Sequence, residues 1–414
     1  MNTLTRRRFL LASGAATVAA AAVGVGWKDL ADRTRTEPLP VGTRVLVVVT
    51  LYGGNDGLNT VVPAGDPVYQ SARPDLAYGQ HEVLDIGEGL GLNPGLAGLK
   101  QQWDNGTLAI VRGVSYPKPD HSHFRSMDIW QTASPDHPAG TGWIGRWLDA
   151  NGRDPLNAVS LEPVLPPLLA GATTAGAALP LRGLALPGGP IGTAFTALGQ
   201  ADDGESALQA YAARSIDDLH RTVATFGEDV GVAQGGAAAR GVGLAKGGQK
   251  GRAQAGALAA QLDVVARCVE AGAPARVYSV SLGGFDTHAD ERSTQQRLLT
   301  EVDQAVSGFL TRMASSDRGR GVVLMAYSEF GRRVVANANE GTDHGTAGPV
   351  FVAGAPVRGG FVGAQPSLTD LDDGDLKPTT DFRDVYATML ADVLGADPAP
   401  VLGAGRSTLP LVSA

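Results

Sequence analysis

The sequence predicts an α/β protein: a mainly parallel sheet sandwiched between helices, with an irregular middle insertion. Two patterns carry this. Five short runs are continuously apolar and rich in β-branched residues, as strands buried on both faces should be. Segments of helical period lie between or after them, and such alternation implies parallel pairing under helical cover. A third observation concerns function: the polar clusters fall where these runs end.

In chain order the runs are "TRVLVVVTL" (43–51), "TLAIVRGV" (107–114), "ARVYSVSL" (275–282), "RGVVLMAYS" (320–328) and "GPVFVAGA" (348–355). Helical patterns cover 122–133, 205–226, 253–271, 290–315 and 381–394. The stretch "LPPLLAGATTAGAALPLRGLALPGGP" reads as irregular or short extended structure, an insertion or cap over the site. The Gly/Ala-rich segment 232–257 reads as a mobile loop. We expect one α/β domain over 41–414, preceded by a signal and linker over 1–40.

The amino terminus supports that division. "TRRRFL" followed by a run of small apolar residues matches a twin-arginine export signal better than a membrane anchor, because the run is only weakly hydrophobic. Removing Arg6, Arg7 and Arg8 takes the net charge from −8 to −11. So acidic a chain is a poor nucleic-acid binder. The expected location is outside the cytoplasm, with no stable transmembrane anchor. Cys268 is the only cysteine, so no intrachain disulfide forms.

Ligands of such sheets sit beyond the carboxyl ends of the strands. The first run leads into "YGGNDG", with Asn55 and Asp56. The second leads into "SYPKPDHSHFRS", where Ser122 starts a helix between His121 and His123. The third leads into "GGFDTHAD", the fourth into "SEFGRR", and "NEGTDHGTAG" precedes the fifth. Asp286 and His288 occupy alternate positions of an extended segment, so both side chains project to one side. They form a turn aspartate beside a surface histidine, or half a site for a borderline cation such as zinc. His344, between glycines, and Glu329, at a strand end, extend the cation reading. Arg332 or Arg333 could clamp an oxyanion, with Arg332 preferred. Ser122 is either a helix cap or a nucleophile at the positive end of a helix.

Together "LYGGNDGLNTVVP", "HSHFRSMDIWQT", "GGFDTHAD", "YSEFGRRVVAN", "GTDHGTAG" and "DLKPTTDFRDVYATML" resemble the secreted bacterial family catalogued as domain of unknown function 1501, over about residues 44–395. That family in turn resembles the alkaline phosphatase and sulfatase superfamily. The resemblance implies an alkaline-phosphatase-like fold hydrolysing phosphate or sulfate esters with one or two divalent metals, zinc first among them. It places the nucleophile on Ser122 and metal ligands on Asp56, Asp286, His288, Glu329 and His344, with a small anionic ester as substrate. A second exported protein of unknown function is the partner it suggests. Two departures are visible. Phe330 stands where the superfamily has a histidine, and only Thr287 separates Asp286 from His288. The second metal site is therefore altered, supplied by His123, or absent. A catalytically silent binding or assembly protein is the competing reading.

Overall fold

The computed structural model describes residues 26–162, 164–179, 181 and 249–413. The twin-arginine segment, the helical pattern 205–226 and residues 232–248 of the expected loop lie outside these. Among the described residues the main sheet has nine strands, numbered here in chain order: β1 Val45–Tyr52, β2 Leu108–Ser115, β3 Ala158–Ser160, β4 Ala177–Ala178, β5 Val277–Gly283, β6 Val322–Tyr327, β7 Gly348–Ala353, β8 Gly360–Val362 and β9 Thr380–Asp381. Their spatial order is β8-β2-β7-β6-β1-β5-β3-β4, with β9 also on β2.

β1 is central, pairing in parallel with β5 on one side and β6 on the other. Its alternate residues face two helical layers. Val45, Val47, Val49 and Leu51 join the core beneath α6 (Gln249–Ala271) and α7 (Glu291–Ala314), with Leu258, Leu262, Leu298 and Val302. Leu46 and Val48 join the opposite core with Ile129 and Trp130 of α4 (His123–Thr132) and Phe382 and Tyr386 of α8 (Phe382–Thr388). Two-sided burial is why this strand shows no polar alternation. The other α-helices among the described residues are α1 (Trp27–Thr36), α2 (Pro67–Ala72), α3 (Ala97–Asp104), α5 (Trp143–Ala150) and α9 (Ala399–Leu402).

Three features depart from the expected plan. β7 runs antiparallel to both β2 and β6. It therefore brings its amino end to the rim where the parallel strands end, and this carries the segment before it, with His344, to that rim. Residues 61–92 form a separate three-stranded sheet that the apolar runs did not announce. The described part of the middle segment holds short extended structure as expected, Ala177–Ala178 lying on the sheet edge beside β3. Helix α6 starts at Gln249, inside the segment expected to be a loop. Cys268 lies on α6 against the core, its thiol pushed up to about 12 by burial. Among the described residues no helix is long and apolar enough to cross a membrane.

Candidate metal centre

The rim loops approach one another closely because of two glycines after β1. Gly53 and Gly54 have φ of +119° and +72°, and a Cβ on them would stand 2.5 Å from the Asp286 amide and 2.2 Å from the Phe330 ring. Only glycine fits both the dihedral and the space.

His123, the first residue of α4, points its ring into this junction. Its Nδ1 is 2.7 Å from Glu329 Oε1, and its Nε2 is buried without a hydrogen-bond partner, 3.4 Å from Asp286 Oδ1. His344 Nδ1 donates to the His121 carbonyl at 2.7 Å, and its Nε2 lies 3.1 Å from Asp286 Oδ1. His288 Nε2 is 2.9 Å from the same oxygen and 3.0 Å from His344 Nε2, while its Nδ1 is turned towards Asp343 at 3.5 Å. All three imidazoles thus turn Nε2 to Asp286, and His123 and His344 hold Nδ1 against an outer acceptor at hydrogen-bond distance while that of His288 only faces Asp343. An outer acceptor fixes the tautomer and leaves the inner nitrogen's lone pair free, the arrangement usual for metal-binding histidines.

The electrostatics agree with this assignment. Burial works against ionisation of Asp286, but the hydrogen bond from Arg332, the contact with His344 and the charge of Arg332 hold its carboxyl at about 2. The hydrogen bond to Glu329 raises the pKa of His123. Burial lowers that of His344. The ligating atoms of His123, Asp286 and His344 all lie within 4.8 Å of one another. Bonds of about 2.0–2.2 Å to a common ion would place neighbouring ligand atoms roughly 3 Å apart. The two nitrogens and one oxygen of His123, His344 and Asp286, with His288 Nε2 2.9 Å from the same oxygen, and the orphaned His123 Nε2 suit a borderline divalent ion such as zinc.

Three expected members do something else. Asp56 is fully buried and already has a cation, because Arg73 Nη1 and Nη2 contact its two oxygens at 2.5 and 3.1 Å. Burial opposes its ionisation, yet the Arg73 charge outweighs that and keeps its pKa below the ordinary value. Glu329 is not positioned as a direct ligand. Its Oε1 accepts from His123 and from the Gly53 amide at 2.9 Å, and its Oε2 accepts from Ser328 at 3.0 Å. Arg332 is not free to clamp an anion. It donates to the carbonyls of Gly53, Gly54, Phe285 and Thr342 and to Asp286 Oδ1, stitching three loops together.

Ser122 is the N-cap of α4, but its side chain caps no helix amide; it is exposed, with its own amide donating to Asp120. The hydroxyl is therefore not committed to capping. His121 turns away to Asp375, 2.7 Å distant. Phe330 is buried, with its ring centroid 4.9 Å from that of His123 and 4.8 Å from that of His344. It fills the floor of the cluster with carbon. Arg73 and Thr342 had no sequence signal; their roles come from long-range pairing. Asp343 was marked only by its place beside His344.

No curated protein matches the chain. Among solved structures it is similar to an alkaline phosphatase superfamily protein from Vibrio parahaemolyticus at 9% identity, over 89% of this chain and 71% of that one, with a TM-score of 0.42. It is also similar to the lipoteichoic acid synthase LtaP from Listeria monocytogenes at 9% identity, covering 93% and 80%, with a TM-score of 0.34. A 2-O GAG sulfatase aligns at 13% identity over 88% and 73%, with a TM-score of 0.32. Likenesses this distant carry no argument about the reaction, and the α/β assignment rests on the sheet itself. A family model described as "Protein of unknown function (DUF1501)" matches residues 193–406, which include Asp286, His288, Glu329, Arg332 and His344 but not Asp56, Ser122 or His123. That match spans just over half of the sequence, and the chain belongs to the DUF1501 family.

Proposed function

We propose that the protein is an exported, metal-dependent hydrolase of phosphate or sulfate esters, with a single divalent ion held by His123, Asp286, His288 and His344. The observation that carries the metal reading is the common orientation of the three imidazoles, Nδ1 outward and Nε2 onto Asp286. One ion is favoured over two because Asp56 is neutralised by Arg73 and Phe330 occupies the floor. A bound divalent ion supplies Lewis-acid stabilisation of an ester oxygen. Ser122 is the proposed nucleophile: its hydroxyl is exposed, caps no amide and sits at the positive end of a ten-residue helix beside His123. Glu329 would orient His123, and Arg332 would hold Asp286 in place. Export by the twin-arginine route, and a second exported protein as partner, remain part of the proposal.

The saturation of Arg332 favours a second reading, in which the protein binds metal and lacks turnover. Purified protein assayed for zinc and for hydrolysis of p-nitrophenyl phosphate and p-nitrophenyl sulfate separates the two. The hydrolase reading expects zinc near one equivalent and turnover lost in both Ser122→Ala and His344→Ala. Metal without turnover supports the second reading; turnover that survives both substitutions removes the proposed chemistry.

A further inference from the structure

Behind the cluster lies a second group of ionisable side chains that the proposed chemistry does not use. Asp56, Arg73 and Glu291 are each 0% exposed. Glu291 interacts electrostatically with both members of the Asp56–Arg73 pair, and two carboxylates with one guanidinium would leave an uncompensated negative charge out of water, which is costly. A proton shared between the carboxyls removes that charge.

The hydrogen bonds say where the proton belongs. Asp56 accepts from both terminal nitrogens of Arg73 and from the Leu58 amide, so it is the anion. Glu291 Oε2 accepts from the Thr342 hydroxyl, while Oε1 is buried and no donor reaches it. An acid with one orphaned oxygen beside an ionised carboxylate is satisfied when that oxygen carries the proton.

Thr342 gives this arrangement its reach. It lies two residues before His344, and its carbonyl accepts from Arg332 Nη1 at 3.0 Å. The Glu291 amide donates to the Glu340 carbonyl at 2.9 Å. We propose that Glu291 is a neutral carboxylic acid and a positioning residue: it donates to Asp56, receives Thr342, and so fixes the segment that presents His344. The functional part rests on the metal-site reading; the protonation state does not.

The groups around Glu291 give its pH dependence. Burial, with the Asp56 charge second, raises its carboxyl from the ordinary 4.5 to about 9, opposed by Arg73 and Thr342. The folded protein then keeps a proton that the unfolded chain loses above 4.5. Stability from this group is complete below that value and declines as pH rises towards about 9. Asp56, shifted downward, adds no slope in that window.

The test compares wild type, Glu291→Gln, Glu291→Ala and Thr342→Val in the full chain, by zinc affinity and by urea unfolding at several pH values. Glutamine matches the neutral acid, with a nitrogen to donate and an oxygen to accept. Glu291→Gln should keep the zinc dissociation constant within about threefold, whereas Thr342→Val and Glu291→Ala should raise it about tenfold. The stability of Glu291→Gln relative to wild type should improve steadily from about pH 5 to about pH 9. A Gln variant as impaired as the Ala variant, or a stability difference flat with pH, overturns the proposal. If wild type binds no zinc, the metal reading fails and the pH comparison alone decides the proton. If Glu291→Ala does not fold, Glu291→Gln still decides it.

Discussion

Asp56 and Asp286 both follow a central parallel strand, and both looked like cation ligands. Their surroundings separate them. Asp56 is out of water and holds the Arg73 guanidinium through both oxygens. Asp286 has a side chain 49% exposed, shares only one nitrogen of Arg332, and faces three imidazole nitrogens. A strand-end carboxylate becomes a candidate ligand when the chain leaves its coordination unfinished. Where the chain finishes it, the carboxylate is architecture.

The strongest way to break the comparison is Arg73→Ala. It leaves two buried carboxyl groups without a cation, and removing one partner of a buried ion pair costs about 3–5 kcal/mol. Urea unfolding at neutral pH should show a loss of that size. A variant of unchanged stability would mean that Asp56 can find another cation, and the two aspartates would no longer differ in kind.

The opposite result is expected at the cluster. His344→Ala removes a partly buried ring at the rim, outside the apolar cores, so folding stability without metal should change less than in Arg73→Ala. Zinc affinity should fall by more than the roughly 10–100-fold that outer-sphere substitutions cost. Glu329→Gln should fall within that 10–100-fold range, because its oxygens orient His123 without meeting the ion. Competition against a chelator of known affinity measures both. Equal losses would place Glu329 among the direct ligands.

Why the sequence separated these residues only in part is a matter of range. Val45–Tyr52 and Val322–Tyr327 were legible because burial on both faces leaves an apolar run, a local signal. Alternation put Asp286 and His288 on one side, and the start of α4 marked His121 and His123 without choosing between them. The partner of Asp56 was not legible, since Arg73 follows a short helix in a segment whose strands are two to four residues long. Arg332 looked available because its acceptors are mostly backbone carbonyls, which every residue carries and no sequence pattern marks. The antiparallel direction of β7 was equally hidden, although it is what delivers His344.

The smallest effect sharpens the distinction within the cluster itself. In metal-free protein, Glu329 stabilises the protonated ring of His123, whereas burial disfavours the protonated ring of His344. On lowering the pH, His123 should therefore take its proton before His344, each monitored by its ring resonances. The stability effects oppose one another. The His123 contribution is complete below the ordinary 6.5 and is lost as pH rises through its higher folded value. His344 acts in the reverse sense, losing stability as pH falls below 6.5. The two histidine contributions should oppose one another across neutrality, leaving the decline expected from Glu291, while the two resonances separate. Glu329→Gln should bring the His123 titration down towards that of His344, because an amide cannot balance the imidazolium charge. If His344 titrates first in the wild type, Glu329 is not polarising His123, and the outward acceptors lose their claim to have prepared the inner nitrogens for a cation.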